Sequence, residues 1–203
     1  MTLQCATGNP GKLREFCLAA RQFGVDIAAL PGLDQIPPCE ETGTTFQENA
    51  VLKAAHYGRH ASGLLFADDS GLEVDALAGA PGVLSARYAG QRATDAENNA
   101  LLLSRLGGSE NRRARFVCVI AVADRGRLIR TFRGVVEGDI LDAPRGPEGF
   151  GYDPLFYYPP FRRSFGEISV EEKMAVSHRG KALTALFTYL ANSARSYKDA
   201  EGI

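Results

Sequence analysis

The sequence has no long apolar run, almost no net charge and no closely spaced cysteines, and each absence excludes a class of protein. No apolar stretch approaches the ~18 residues that a membrane-crossing helix requires, so no membrane partner is expected. Lys and Arg total 23 against 24 Asp and Glu, for a formal charge of −1. A chain so balanced has no global attraction for a nucleic-acid polymer or an anionic bilayer, and any anion site must be built locally. The cysteines are Cys5, Cys17, Cys39 and Cys118, and none forms a C-x-x-C pair. Three lie in apolar runs, the pattern of reduced thiols in a cytoplasmic protein. The first residues show no basic region followed by an apolar one, so no signal peptide is expected. His56 and His60 stand four apart, but no third ligand is nearby, and they read as surface residues rather than a zinc site.

What is present is an ordinary globular balance, 45% apolar and 23% charged. Residues 1–203 suffice for one domain with a substantial core. Strand-like runs fall at 2–7, 26–30, 64–67, 114–123, 128–137 and 155–158. Helical periodicity falls between them. Thr45 with Glu48, Thr94 with Glu97 and Ser169 with Glu172 have capping-box spacing. A last helix near 181–193 carries Leu183, Leu186, Phe187 and Leu190 on one face. The order begins βαβαβ and then gives two strands joined through DRGR, an antiparallel hairpin in an α/β chain.

Four stretches carry chemistry. The first is ATGNPGK, residues 6–12. It is not a Walker A loop, because Gly8 and Gly11 are two residues apart rather than four and Leu13 follows the lysine. Its physics is nevertheless that of an anion cradle. Asn9 suits a helix cap and Pro10 the first helical position, the glycines permit close approach, and Lys12 adds a charge. The second is ADDSG, where an apolar strand ends in Asp68 and Asp69. Adjacent acids beside a core are costly unless a cation neutralises them, and a hard divalent ion is a natural partner. Adjacent residues of an extended segment face opposite ways, so the two should diverge. Glu40-Glu41 can supply a further oxygen ligand. The third is GPEGFGYDP, a glycine-rich loop presenting Phe150 and Asp153, a ring and a carboxylate suited to a flat heterocycle. The fourth is EEKMAVSHRGKAL, where Lys173, His178, Arg179 and Lys181 concentrate cations and donors. Each stretch alone has an equally plain structural reading as a turn or solvated loop. Together they supply the parts for a nucleoside triphosphate and Mg²⁺.

TGNPGKLREF, EETGTTFQENAVLKA, ADDSGLEVDALAGAPGVLSARYAG, GFGYDPLF and EEKMAVSHRGKAL, in that order over residues 6–183, resemble the dITP/XTP (inosine triphosphate) pyrophosphatases. The resemblance implies an elongated α/β fold, with a long central mixed sheet flanked by helices and an active site in the cleft between two lobes. It implies Mg²⁺-dependent hydrolysis of dITP, ITP and XTP to the monophosphate and pyrophosphate by a homodimer. Carried over residue by residue, Thr7, Gly8, Asn9, Pro10, Gly11 and Lys12 would hold the triphosphate, with Lys53 projecting into the same cleft. Asp69 would be the general base and a metal ligand, and Glu41 the second metal ligand. Ser70 would touch substrate, Phe150 would stack on the base, and Gly151, Tyr152 and Asp153 would complete that wall. Lys173, His178 and Arg179 would finish recognition. Two other readings use the same residues: a nucleotidyl-transfer enzyme with another acceptor than water, and a non-catalytic nucleotide sensor.

Overall fold

The computed structural model describes residues 2–201, with side chains through residue 193. A seven-stranded mixed sheet forms its centre. The strands are β1 (Thr2–Cys5), β2 (Asp26–Ala29), β3 (Leu64–Val74), β4 (Arg113–Asp124), β5 (Arg127–Ile140), β6 (Phe156–Tyr158) and β7 (Arg163–Ser164). Their order is β2-β1-β3-β4-β5-β6-β7. β1 is parallel to β2 and β3, and every later pairing is antiparallel. The helices are α1 (Pro10–Arg21), α2 (Phe46–Gly58), α3 (Asp95–Leu106), α4 (Val170–Val176) and α5 (His178–Glu201). Capping boxes at Thr45, Thr94 and Ser169 start α2, α3 and α4, at the positions the sequence spacing indicated. The DRGR turn is a tight hairpin whose central residues, Arg125 and Gly126, both have positive φ, as a primed turn requires.

Strand alternation assigns the faces. On β4, Cys118, Ile120 and Val122 join a cluster with Phe16 of α1, Met174 of α4 and Leu183, Leu186 and Phe187 of α5. Val117, Val119, Ala121 and Ala123 join the opposite cluster with Phe46, Ala50 and Ala54 of α2. A third cluster, toward β6 and β7, includes Leu102 and Leu106 of α3. Gly134 of β5 lets α5 approach: a Cβ there would stand 2.0 Å from the His178 carbonyl oxygen. The first turn of α5 is thereby seated directly on the sheet.

β3 departs from the expected strand, which stops at residue 67. It continues to Val74, with Asp68 opposite Ile120 and Asp69 opposite Val119 of β4. The two acids therefore sit in mid-strand rather than at a strand end. Strand pairing survives there because each carboxylate has a lysine partner, Lys12 for Asp68 and Lys53 for Asp69. Among the described residues no helix is long and apolar enough to cross a membrane.

Candidate active site

The loop between β1 and α1 has the expected cap. Asn9 Oδ1 accepts the Lys12 backbone N–H at 3.0 Å, and the Asn9 N–H is donated to Thr7 Oγ1 at 3.2 Å. Pro10 occupies the first helical position. Gly11 is required by contact: a Cβ there would come within 2.8 Å of the Phe150 ring. Thr7, Gly8, Asn9 and Lys12 line a cavity of about 590 Å³ together with Glu41, Lys53 and Asp68.

Asp68 and Asp69 diverge as their adjacency demands. Asp68 shares the sheet face of Phe66 and Ile120, where Lys12 Nζ donates to its Oδ2 at 2.9 Å and Ser70 Oγ at 3.1 Å. Burial would raise its pKa, but the charges of Lys12, Arg179 and Lys53 prevail and lower it to about 2. Its stabilising contribution is therefore present above the ordinary carboxylate value of 3.8 and is lost as pH falls toward 2. Asp68→Asn should flatten the stability profile over that interval by on the order of 2 kcal/mol, read from urea midpoints at each pH. An unchanged slope would contradict this assignment.

Asp69 shares the α2 face, and both its oxygens are held. Lys53 Nζ donates to Oδ1 at 2.7 Å and Asn49 Nδ2 to Oδ2 at 3.3 Å. Burial pushes the Asp69 carboxyl up and Lys53 opposes this only in part, so its pKa is raised. Lys53 is raised as well, because the charges of Asp69 and Asp68 outweigh its own burial. Glu41 also reaches Lys53, at 3.6 Å. Two carboxylates thus converge on one ammonium group, a geometry that suits a divalent cation. Among the described residues no group of three or more His, Cys, Asp or Glu gathers. Glu41 and Asp69 are the two oxygen donors placed where a divalent cation could be held.

A second cavity of about 130 Å³ brings together Asn9, Lys12, Ser70, Phe150, Gly151, Tyr152, Asp153, Lys173, His178 and Arg179. Lys173 Nζ lies 4.7 Å from the Phe150 ring centroid, and the Arg179 guanidinium carbon lies 5.6 Å from it. Tyr152 is anchored through its hydroxyl, which donates to the Ser85 carbonyl at 2.8 Å. Buried Asp153 accepts the Phe150 N–H at 2.9 Å and the Lys173 ammonium at 2.5 Å. His178 stacks on Phe116, with centroids 4.7 Å apart and planes within 14°. Burial, with the charges of Arg179 and Lys173, holds its pKa well down, so the ring is neutral. His178 Nδ1 and Arg179 Nε are buried without a hydrogen-bond partner among the described residues.

Two groups of residues escaped the sequence reading. Glu15 of α1 is buried and accepts Lys173 Nζ at 2.7 Å and Arg179 Nη1 at 2.5 Å. Burial would raise its pKa, but the charges of Arg179 and Lys173 lower it. On α3, Asp95 accepts the Gly151 N–H at 2.6 Å and Asn99 Nδ2 donates to the Gly151 carbonyl at 3.0 Å. Asn98 lies in the cavity wall beside them. Neighbouring asparagines inside a helix, where their propensity is poor, were the available signal.

The Ham1 family model matches residues 3–189. The chain belongs to the Ham1 family. Similar proteins include one named dITP/XTP pyrophosphatase from Thermus thermophilus, 50% identical over 98% of this chain and 93% of that protein. Another of the same name, from Acidobacterium capsulatum, is 49% identical over 94% of this chain and 98% of its own length. The solved structure of the Staphylococcus aureus Ham1 protein superposes with a TM-score of 0.84 at 39% identity, covering 95% of this chain and all of that one. The Coxiella burnetii HAM1 protein gives 0.84 at 41% identity, covering 95% and 99%. The mixed sheet flanked by helices is thus the Ham1 fold, and the matched span contains every cavity residue named above.

Proposed function

We propose that this Ham1-family chain hydrolyses dITP, ITP and XTP to the nucleoside monophosphate and pyrophosphate, removing them from the nucleic-acid precursor pool. The observation that carries the reading is that the two cavities share Asn9 and Lys12. A polar groove with Lys53 and Glu41 joins, at those residues, a smaller pocket walled by Phe150 and floored by His178 and Arg179. A triphosphate and its base fit such a junction. The names of the relatives support the substrate class.

Water attacks the α-phosphorus, the bond from that atom to the α–β bridging oxygen breaks, and pyrophosphate leaves. Asp69 orients the water and accepts its proton, and its raised pKa makes it a better base than an exposed carboxylate. Lys53 and Asn49 fix the orientation of Asp69, while Lys12 and Lys53 offset charge on the phosphoryl oxygens. A divalent cation, proposed as Mg²⁺ on Glu41 and Asp69, would neutralise phosphate charge and steady the leaving group. We extend the reading to a homodimer with a two-lobed protomer, working in the cytoplasm.

Base choice follows from the side chains that line the smaller pocket. Arg179 and Lys173 bring N–H donors to it, and neutral His178 brings one donor and one acceptor. A 6-oxo purine offers acceptors at O6 and N7, whereas adenine places an amino donor at position 6. A mismatched edge leaves buried groups unpaired, a penalty on the order of 10⁴-fold. Pyrophosphate release should be assayed from ITP, dITP, XTP, GTP and ATP, with and without Mg²⁺. We expect kcat/KM for ITP and XTP to exceed that for ATP by about 10³-fold or more. Equal values for ITP and ATP would overturn the specificity, and absence of pyrophosphate would overturn the reaction.

A further inference from the structure

Arg87 closes the 3-10 segment Gly82–Arg87, which rests against β3 through Ser85, whose hydroxyl accepts the Leu72 N–H at 2.9 Å. The strand that carries Asp69 thus also positions Arg87. The Arg87 guanidinium reaches toward Glu41, a residue of the groove lining, with Nη1 3.9 Å from Oε2. That separation is an ion pair outside hydrogen-bond reach. The Arg87 and Glu41 side chains are 26% and 28% exposed. A long, partly solvated pair contributes little to folding.

Lys12 pairs with Asp68, Lys53 with Asp69 at 2.7 Å and Glu41 at 3.6 Å, and Arg87 with Glu41 at 3.9 Å. Phosphoryl oxygens would compete with these carboxylates for the cations whether or not a metal is bound. A divalent ion held by Glu41 and Asp69 would leave Lys53 and Arg87 still more open to them. Of these two, Arg87 holds its carboxylate less closely and presents a planar fork suited to two oxygens of one phosphate.

We infer that Arg87 is a further catalytic residue, which exchanges Glu41 for the departing pyrophosphate and offsets the charge developing on it. The inference rests on the hydrolytic reading above and gives a role to Arg87, which lies within the ADDSG–ARYAG stretch but to which the resemblance assigns none. Arg87 differs in role from Arg179, which is buried and tied to Glu15 and Ser70.

The test is calorimetric binding of inorganic pyrophosphate, without divalent cation, to wild type, Arg87→Gln and Arg87→Lys, with inosine monophosphate as the reference ligand. Arg87→Gln should weaken pyrophosphate binding by about tenfold or more and lower kcat for ITP by about 10²–10³-fold. Inosine monophosphate affinity should stay within about twofold, and melting temperatures should match. Arg87→Lys, which keeps the charge but loses the fork, should fall between. Pyrophosphate affinity in Arg87→Gln equal to wild type would overturn the inference, as would an equal loss of monophosphate affinity. Wild-type protein that releases no pyrophosphate from ITP would instead sink the proposed reaction, while the calorimetric comparison would still judge Arg87.

Discussion

Asp69→Asn should lower pyrophosphate release from ITP by at least ~10³-fold while inosine monophosphate affinity stays within about twofold. The substitution preserves volume and one acceptor oxygen, so Lys53 retains a neutral partner at Oδ1. It removes the negative charge and the capacity to take a proton from water. It also removes one of the two carboxylates that converge on Lys53. The base pocket is untouched, because its contacts come from the Phe150–Asp153 loop and from Lys173, His178 and Arg179. A steady-state assay with excess ITP, paired with monophosphate titration, separates the effects. Turnover above a tenth of wild type would remove Asp69 from the chemistry, and lost monophosphate affinity would mark a structural role instead.

The second large effect is on stability. Glu15→Gln should cost about 3 kcal/mol of unfolding free energy, because it leaves a buried guanidinium undercompensated. The lower part of the usual range applies, since Lys173 keeps Asp153 and Arg179 keeps the Ser70 hydroxyl at 2.8 Å. For a chain of this length the melting temperature should fall by roughly 6–12 °C. Recognition of the base should weaken with it, because Glu15 sets the positions of both Lys173 and Arg179. Urea denaturation monitored by circular dichroism measures the first effect. A loss under about 1 kcal/mol would show that the pair is replaceable.

The contrast between these two residues shows what a one-dimensional reading can see. Asp69 stands beside another acid and before a serine and glycine, an arrangement that is costly in a strand and therefore conspicuous. Glu15 is one acid in an ordinary helix, off the apolar stripe of Leu13, Phe16, Cys17 and Ala20. Nothing within α1 indicates that α4 and α5 will cover it. The same reason explains β3. Its acidic centre looks like a strand end until Lys12 and Lys53 arrive from opposite faces of the sheet. The capped helix starts and the hairpin were legible because their signals are local, as were Asn9 and Pro10 at the start of α1. Asp95 and Asn99 act on a loop some fifty residues away, at Gly151, and local pattern carries no trace of that contact. β7 is two residues long, too short for any periodicity to show.

The bonds from Glu15 to Lys173 and Arg179 close over 158 and 164 residues. A ribosome adding about 5–20 residues per second would need roughly 8–30 s to make that stretch. Until Lys173 and Arg179 are made Glu15 has no partner for its charge, and burying it at that stage would strand the charge. The buried cluster of Glu15, Lys173 and Arg179 therefore closes only when α4 and α5 dock, and a chain ending before them would lack those walls of the smaller cavity.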